Sequence, residues 1–172
     1  MLNFNSGDAG LATLGSLSGQ DHHATDLIVF DNASVDGSRE AIAMRFPNIP
    51  VINTGKNLGY CGGNNAALEY GLAHGYDAVI IANHDLRVGT DAVGRLVKAA
   101  REHPEAGVIG AQELDGESGK PRVLGGRGYN FWRSRRQWVR DPQALGATDE
   151  APIRMDYVQG AFLLVTRAAI ER

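Results

Sequence analysis

Cysteine is almost missing from this chain: Cys61 is the only one in 172 residues. That excludes an internal disulfide framework and any cysteine-rich zinc site, and it fits a reducing cytoplasm. Positive charge is not in excess either. A net charge of −3 and a pI near 5.9 leave no basic field over the whole chain, so nucleic acid is not the partner that bulk electrostatics selects. No apolar run approaches the roughly 20 residues that a membrane-spanning helix needs. The opening Met1-Leu2-Asn3-Phe4-Asn5 lacks the basic n-region and apolar h-region of a secretory signal. Repeats and low-complexity tracts are absent as well. The expectation is a chain that is soluble, or attached to a membrane only peripherally.

The length and a 43% hydrophobic content suit one globular domain with a real core. Glycine, at 22 residues, falls mostly at turns and implies many short connections. Leu27-Ile28-Val29-Phe30 reads as a buried strand ending at Asp31. Asp36 is placed to cap a helix through Arg45 that Pro47 ends, and Val51-Ile52 forms a second strand. Helical spacing returns over residues 61–74, with Gly75 placed to stop it. Ala78-Val79-Ile80-Ile81-Ala82 is the strongest strand and runs straight into Asn83-His84-Asp85. Thr90 or Asp91 then caps a helix through Glu102, and another strand covers residues 107–111.

Strands alternating with helices predict an α/β fold with a mostly parallel central sheet flanked by helices. In such folds ligands bind at the carboxyl ends of the strands, where Asp31 and Asp85 both fall. Residues 1–111 form the regular core of a single domain expected over residues 1–172. Residues 112–172 supply a hairpin turn at Asp115-Gly116-Glu117-Ser118-Gly119, a long variable loop, the apolar strand Ala161-Phe162-Leu163-Leu164-Val165, and a helix beginning near Ala168.

Four segments could carry chemistry. Asp31, at a strand end before Asn32-Ala33-Ser34, could accept a hydrogen bond from the N3 imide of uracil or thymine; equally, Ser34 and Asp36 make this a helix-capping turn. Gly55-Lys56-Asn57-Leu58-Gly59-Tyr60-Cys61-Gly62-Gly63-Asn64-Asn65 lets backbone approach a ligand at a helix start, which suits a diphosphate or ribose. It has neither Walker A spacing nor the dinucleotide Gly-x-Gly-x-x-Gly after the first strand, and its plain alternative is a Gly-rich connection capped at Asn64. Asn83-His84-Asp85 offers a carboxylate for Mg²⁺ or Mn²⁺, which prefer oxygen ligands completed by water and phosphate, or else a solvated turn into a helix. The stretch over residues 131–140 interleaves Trp132 and Trp138 with Arg133, Arg135, Arg136 and Arg140. It could grip a phosphate or a sugar face, or simply pack on the core.

Taken in order, these pieces resemble the family 2 glycosyltransferases, and within them the bacterial rhamnosyltransferase-like branch. The matching segments are Leu2-Asn3-Phe4-Asn5-Ser6, then Val29-Phe30-Asp31-Asn32-Ala33-Ser34-Val35-Asp36-Gly37-Ser38, then Asn57-Leu58-Gly59-Tyr60-Cys61-Gly62-Gly63-Asn64-Asn65, then Ile81-Ala82-Asn83-His84-Asp85, and last Asp156-Tyr157-Val158-Gln159-Gly160-Ala161-Phe162-Leu163-Leu164-Val165. The resemblance implies a GT-A fold that binds a nucleoside-diphosphate sugar, UDP- or dTDP-linked, with Mg²⁺ or Mn²⁺. It implies transfer with inversion to a glycan or lipid-linked acceptor hydroxyl in bacterial cell-surface polysaccharide synthesis, in the cytoplasm or at the inner face of the cell membrane.

By the same resemblance Asn3, Phe4 and Asn5 lie at the nucleotide, Phe4 against the base, and Asp31 reads it. Asn32, Asp36, Lys56, Asn57, Gly63, Asn64, Asn83 and His84 line the nucleotide and sugar pocket. Asp85 holds the metal, and Gly160 and Ala161 lie on the acceptor side. His84 stands where the family commonly has an acidic residue or the proline of Asn-Pro-Asp. The family's first strand has more apolar residues than Met1-Leu2 before the Asn-Phe-Asn match, and its general base follows in a Glu-Asp-type segment expected beyond Arg172. Two other readings compete. One is a shortened nucleotide-sugar-binding module with little or no transferase activity. The other is a nucleotidyltransferase, which wants a basic Gly-rich loop where this chain has Gly7-Asp8-Ala9-Gly10.

Overall fold

The computed structural model describes residues 1–120, 122, 125–130, 135–139 and 152–172. Three short strands open the fold side by side. β1 (Leu2–Asn3) pairs in parallel with β2 (Val29–Asp31), and β2 pairs in parallel with β3 (Val51–Asn53). The register sets Asn3 opposite Asp31 and Asp31 opposite Asn53. Three polar residues therefore stand in a row at the carboxyl edge, and the apolar residues before them pack inward.

The second sheet has the order β4 (Ala78–Ala82), β9 (Phe162–Thr166), β5 (Val108–Gly110), with β9 antiparallel to both neighbours. The parallel arrangement expected from the alternation thus describes β1, β2 and β3. The last apolar strand returns from a stretch distant in sequence and inserts between β4 and β5. A third, antiparallel sheet joins β7 (Arg135–Val139), β6 (Gly125–Asn130) and β8 (Tyr157–Val158), where the sequence suggested a hairpin and a loop without periodicity. Trp132, Arg133 and Arg140 of the basic-aromatic stretch lie outside the described residues.

Five helices accompany these strands among the described residues: α1 (Gly7–Ser18), α2 (Ser38–Arg45), α3 (Gly59–Ala73), α4 (Ala92–Glu102) and α5 (Arg167–Ile170). Sequence reasoning assigned no element to α1. Glycines at 7, 10 and 15 dilute its helix propensity, yet Leu11, Leu14 and Leu17 recur every third residue, and Leu14 is fully buried. α2 begins one residue later than expected, because Gly37, at the left-handed φ of +82°, is its N-cap and leaves Asp36 outside the helix. α3 begins at Gly59 and stops before Gly75, whose φ of +78° accommodates the expected chain reversal.

The core draws Leu14 from α1, Val29 from β2, Ile42 from α2, Ala82 from β4, Val93 and Leu96 from α4, and Phe162 and Leu164 from β9. The Leu, Val, Ile and Phe side chains among them contribute about 1.5–3 kcal/mol each when fully buried. The cluster draws on both the parallel and the β4–β9–β5 sheets, so one core holds them together. Among the described residues no helix is long and apolar enough to cross a membrane.

Candidate functional site

At the carboxyl edge of the parallel strands, burial and hydrogen bonding converge on Asp31. Its residue is 0% exposed, and so is Asn3. Asn3 Nδ2 donates to Asp31 Oδ1 at 2.8 Å, while Ser34 N donates to Asp31 Oδ2 at 3.1 Å. The same Asn3 amide lies 3.1 Å from Ser34 Oγ and 3.2 Å from Ser38 Oγ. A buried carboxylate is costly unless its acceptors are filled, and here both oxygens are engaged inside the fold. In this structure Asp31 anchors the turn above it, a role its sequence position alone did not distinguish.

That turn and the segment after β1 hold each other. Asn5 N donates to Ser34 Oγ at 3.0 Å, and Val35 N donates to Asn5 Oδ1 at 2.9 Å. Asn5 and Ala33 are the described non-glycine residues with positive φ, at 48° and 62°. Residues in that region carry strain that surrounding contacts must offset, and such strain gathers at ligand sites. Asp36, exposed, accepts from Ser38 N at 3.0 Å and Gly7 N at 3.1 Å. Hydrogen bonds from the Ser38 hydroxyl and amide, helped by Gly7, hold its carboxyl below the usual range, so it stays ionised beside the start of α1. Phe4, next to Asn5 in sequence, is exposed.

Asn32 organises the neighbouring loop. Its Nδ2 donates to Asn57 Oδ1 at 2.9 Å and the Gly59 carbonyl at 3.1 Å, and its Oδ1 accepts from Leu58 N at 3.0 Å. Thr54 Oγ1 lies 2.8 Å from the Lys56 carbonyl. Lys56 is therefore held by its backbone while its side chain projects into solvent. Gly63 has a packing role. A Cβ there would lie 2.5 Å from Leu2 Cδ1 and 3.5 Å from Asn32 Cγ, so a larger residue would force the end of the Leu2 side chain to shift where α3 meets β1. Asn64, buried, donates to the Tyr60 carbonyl at 3.0 Å.

Two connections bring the later segments to the same edge. Tyr60 Oη donates to the Gly160 carbonyl at 2.5 Å, and Asn83 N donates to the Ala161 carbonyl at 2.9 Å. Burial raises the Tyr60 phenol above its ordinary pKa. Asp85 is exposed and His84 half-buried. Among the described residues neither side chain makes a hydrogen bond, and none of these residues forms a cluster of three potential His, Cys, Asp or Glu ligands. An uncommitted carboxylate at a strand end suits Mg²⁺ or Mn²⁺ as one protein ligand, with phosphate oxygens and water filling the remainder.

Sequence reasoning missed Thr13. Its buried hydroxyl touches the backbone on both sides of Asp85. The signal was available in the Thr13, Ser16, Gln20 spacing of a helix that went unrecognised.

The family model described as Glycosyl transferase family 2 matches residues 1–168. The curated N-acetylglucosaminyl-diphospho-decaprenol L-rhamnosyltransferase of Mycobacterium tuberculosis, found in two strains, is 34% identical over 105 residues. That match covers 56% of this chain and 34% of the relative, so the chain spans about a third of the length of the curated proteins it matches. Among solved structures, S. aureus TarS 1-349 superposes with a TM-score of 0.57 at 20% identity, covering 74% of this chain and 40% of TarS. Its complex with UDP-GlcNAc gives a TM-score of 0.57 at 22% identity, covering 72% and 36%.

Proposed function

The chain belongs to glycosyl transferase family 2 and has the GT-A fold, and from that premise we propose that it binds the donor for transfer of a sugar from a UDP- or dTDP-linked nucleotide to an acceptor hydroxyl. The transfer inverts the anomeric centre and serves bacterial cell-surface polysaccharide synthesis. The acceptor is a glycan or a lipid-linked sugar, met in the cytoplasm at the inner membrane face. The name of the mycobacterial relative favours a deoxyhexose such as rhamnose, and the TarS complex makes UDP a sensible probe.

One observation carries the reading. Segments around residues 3–5, 31–38, 54–64, 83–85 and 160–161 meet at strand carboxyl ends through hydrogen bonds between sequence-distant groups. Such a meeting is expected where a fold of this kind binds its ligand. In this proposal Phe4 offers its face to the base. Asn5 and Ala33, held by Asp31 and Asn3, shape the wall beside it. Lys56 and the amides at the start of α3 meet the diphosphate, Asn83 and His84 border the sugar, and Gly160 and Ala161 face the acceptor. Asp36 steadies the start of α1 next to that wall, and Asn32, Asn57, Gly63 and Asn64 hold the glycine-rich loop. Asp85 supplies the single carboxylate for Mg²⁺ or Mn²⁺, whose charge offsets that of a departing diphosphate.

Isothermal titration with UDP and with dTDP, with and without Mn²⁺, tests this. Saturable binding that Mn²⁺ strengthens is expected, and Asp85→Ala should remove the Mn²⁺ effect. Absence of binding by both nucleotides overturns the donor-binding reading. A donor-hydrolysis assay on the same sample separates a transferase from a binding module without turnover.

A further inference from the structure

Asp85 has no side-chain bond among the described residues, so its direction depends on the backbone that carries it. That backbone is tied on both sides to one hydroxyl. Thr13 Oγ1 lies 2.8 Å from the His84 carbonyl and 2.9 Å from the Leu86 carbonyl, and it accepts from Leu86 N at 3.0 Å. A hydroxyl has one proton and two acceptor positions. It therefore shares its proton between the two carbonyls while it holds the Leu86 amide. Thr13 is fully buried, so water does not compete.

The contact continues along α1. Ser16 Oγ accepts from Val88 N at 3.2 Å. Just past the helix end, Gln20 Nε2 donates to the Gly89 carbonyl at 2.8 Å, and its Oε1 accepts from Val93 N at 2.9 Å. Thr13, Ser16 and Gln20 follow the spacing of one helical face, and residues 84–93 lie along it.

The geometry points to Thr13 as a positioning residue. By clamping residues 84 and 86 it sets the aim of the Asp85 carboxylate between them, and with it the affinity for a divalent cation. This rests on the reading of Asp85 as a metal ligand given above. Removing a group that orients a metal ligand typically weakens the metal about 10–100-fold. A single hydroxyl acting through backbone belongs at the lower end of that range.

The test measures UDP or dTDP binding across a Mn²⁺ series, beside amide hydrogen exchange. Thr13→Val is expected to raise the half-saturating Mn²⁺ concentration about tenfold and to speed exchange at Leu86. Thr13→Ser, which restores the hydroxyl, should stay close to the parent in both. A folded Thr13→Val with an unchanged Mn²⁺ requirement overturns the assignment, provided that Asp85→Ala shifts it. If Asp85→Ala changes nothing, the metal reading of Asp85 fails, and the positioning role falls with it even if Leu86 exchange shows a backbone clamp. Should Thr13→Val not fold, the parent protein decides: fast exchange at Leu86 overturns the clamp, whereas protection there together with parent-like Mn²⁺ dependence in Thr13→Ser supports it.

Discussion

Replacing Asp31 with alanine asks whether the centre of this edge is a structural anchor. The carboxylate accepts from Asn3 Nδ2 at 2.8 Å and from Ser34 N at 3.1 Å, with the residue 0% exposed. Hydrogen bonds to a charged group contribute about 1.5–3 kcal/mol each, which gives an upper sum of about 6 kcal/mol. The Asn3 amide retains Ser34 Oγ and Ser38 Oγ at 3.1 and 3.2 Å, so that side of the loss is partly recovered. The Ser34 amide keeps no such substitute. The expected destabilisation is about 3 kcal/mol, a large share of a typical domain stability of about 5–15 kcal/mol. Asp31→Asn keeps one acceptor and turns an NH₂ toward the other donor, so a loss about as large is expected. Urea unfolding followed by circular dichroism measures both, with an unchanged denaturant slope marking a stability effect and not an altered unfolded state. An Asp31→Ala protein within about 0.5 kcal/mol of the parent, the range of ordinary surface changes, would refute the anchoring argument. Nucleotide titration should accompany it under conditions where the variant stays folded, because an unfolded variant loses binding for reasons unrelated to base contact.

Other expectations follow from single contacts. Gly10→Ala places a Cβ 2.1 Å from Ser6 Oγ and 3.4 Å from Asn3 Oδ1, so overpacking should cost about 1–3 kcal/mol and lower the thermal midpoint; an unchanged midpoint would mean that Ser6 moves aside freely. Tyr60→Phe removes the hydrogen bond to Gly160 while keeping the ring; affinity for the sugar nucleotide should hold while any transfer or hydrolysis rate falls, and a rise in the KM for the sugar nucleotide alone would argue against a role on the acceptor side. Tyr76 donates to Asp26 at 2.7 Å, and that bond raises its pKa from 10.0 to about 12. The folded state keeps this proton where the unfolded chain releases it, so the contribution is whole below pH 10 and lost as pH rises through about 12. Tyrosinate absorbance should show a component titrating near pH 12 that moves earlier in Asp26→Asn.

Much of the architecture could be read directly from the chain. β4 appears with its expected bounds because five consecutive apolar residues followed by Asn83-His84-Asp85 leave no helical alternative. Gly75 ends α3 because it takes a backbone conformation that costs other residues more. The motif segments were recognisable because turn chemistry and strand ends are local in sequence. α1 was not, since three glycines interrupt the pattern and its stability comes from burying Leu14 against other elements, which no local window contains.

The sequence by itself thus determined the fold class, the family, and which segments stand at strand carboxyl ends. Only the tertiary structure decided what each polar residue does there. Asp31 carries the same letter whether it faces a base or the interior; its burial beneath Asn3 and Ser34, 28 and 3 residues away, makes it an anchor. Thr13 and Asp85 lie on different elements with nothing in the intervening chain to link them. Their relation exists because α1 packs along residues 84–93, and hydrogen bonds between groups some 70 residues apart arise only once the core has brought those elements into contact.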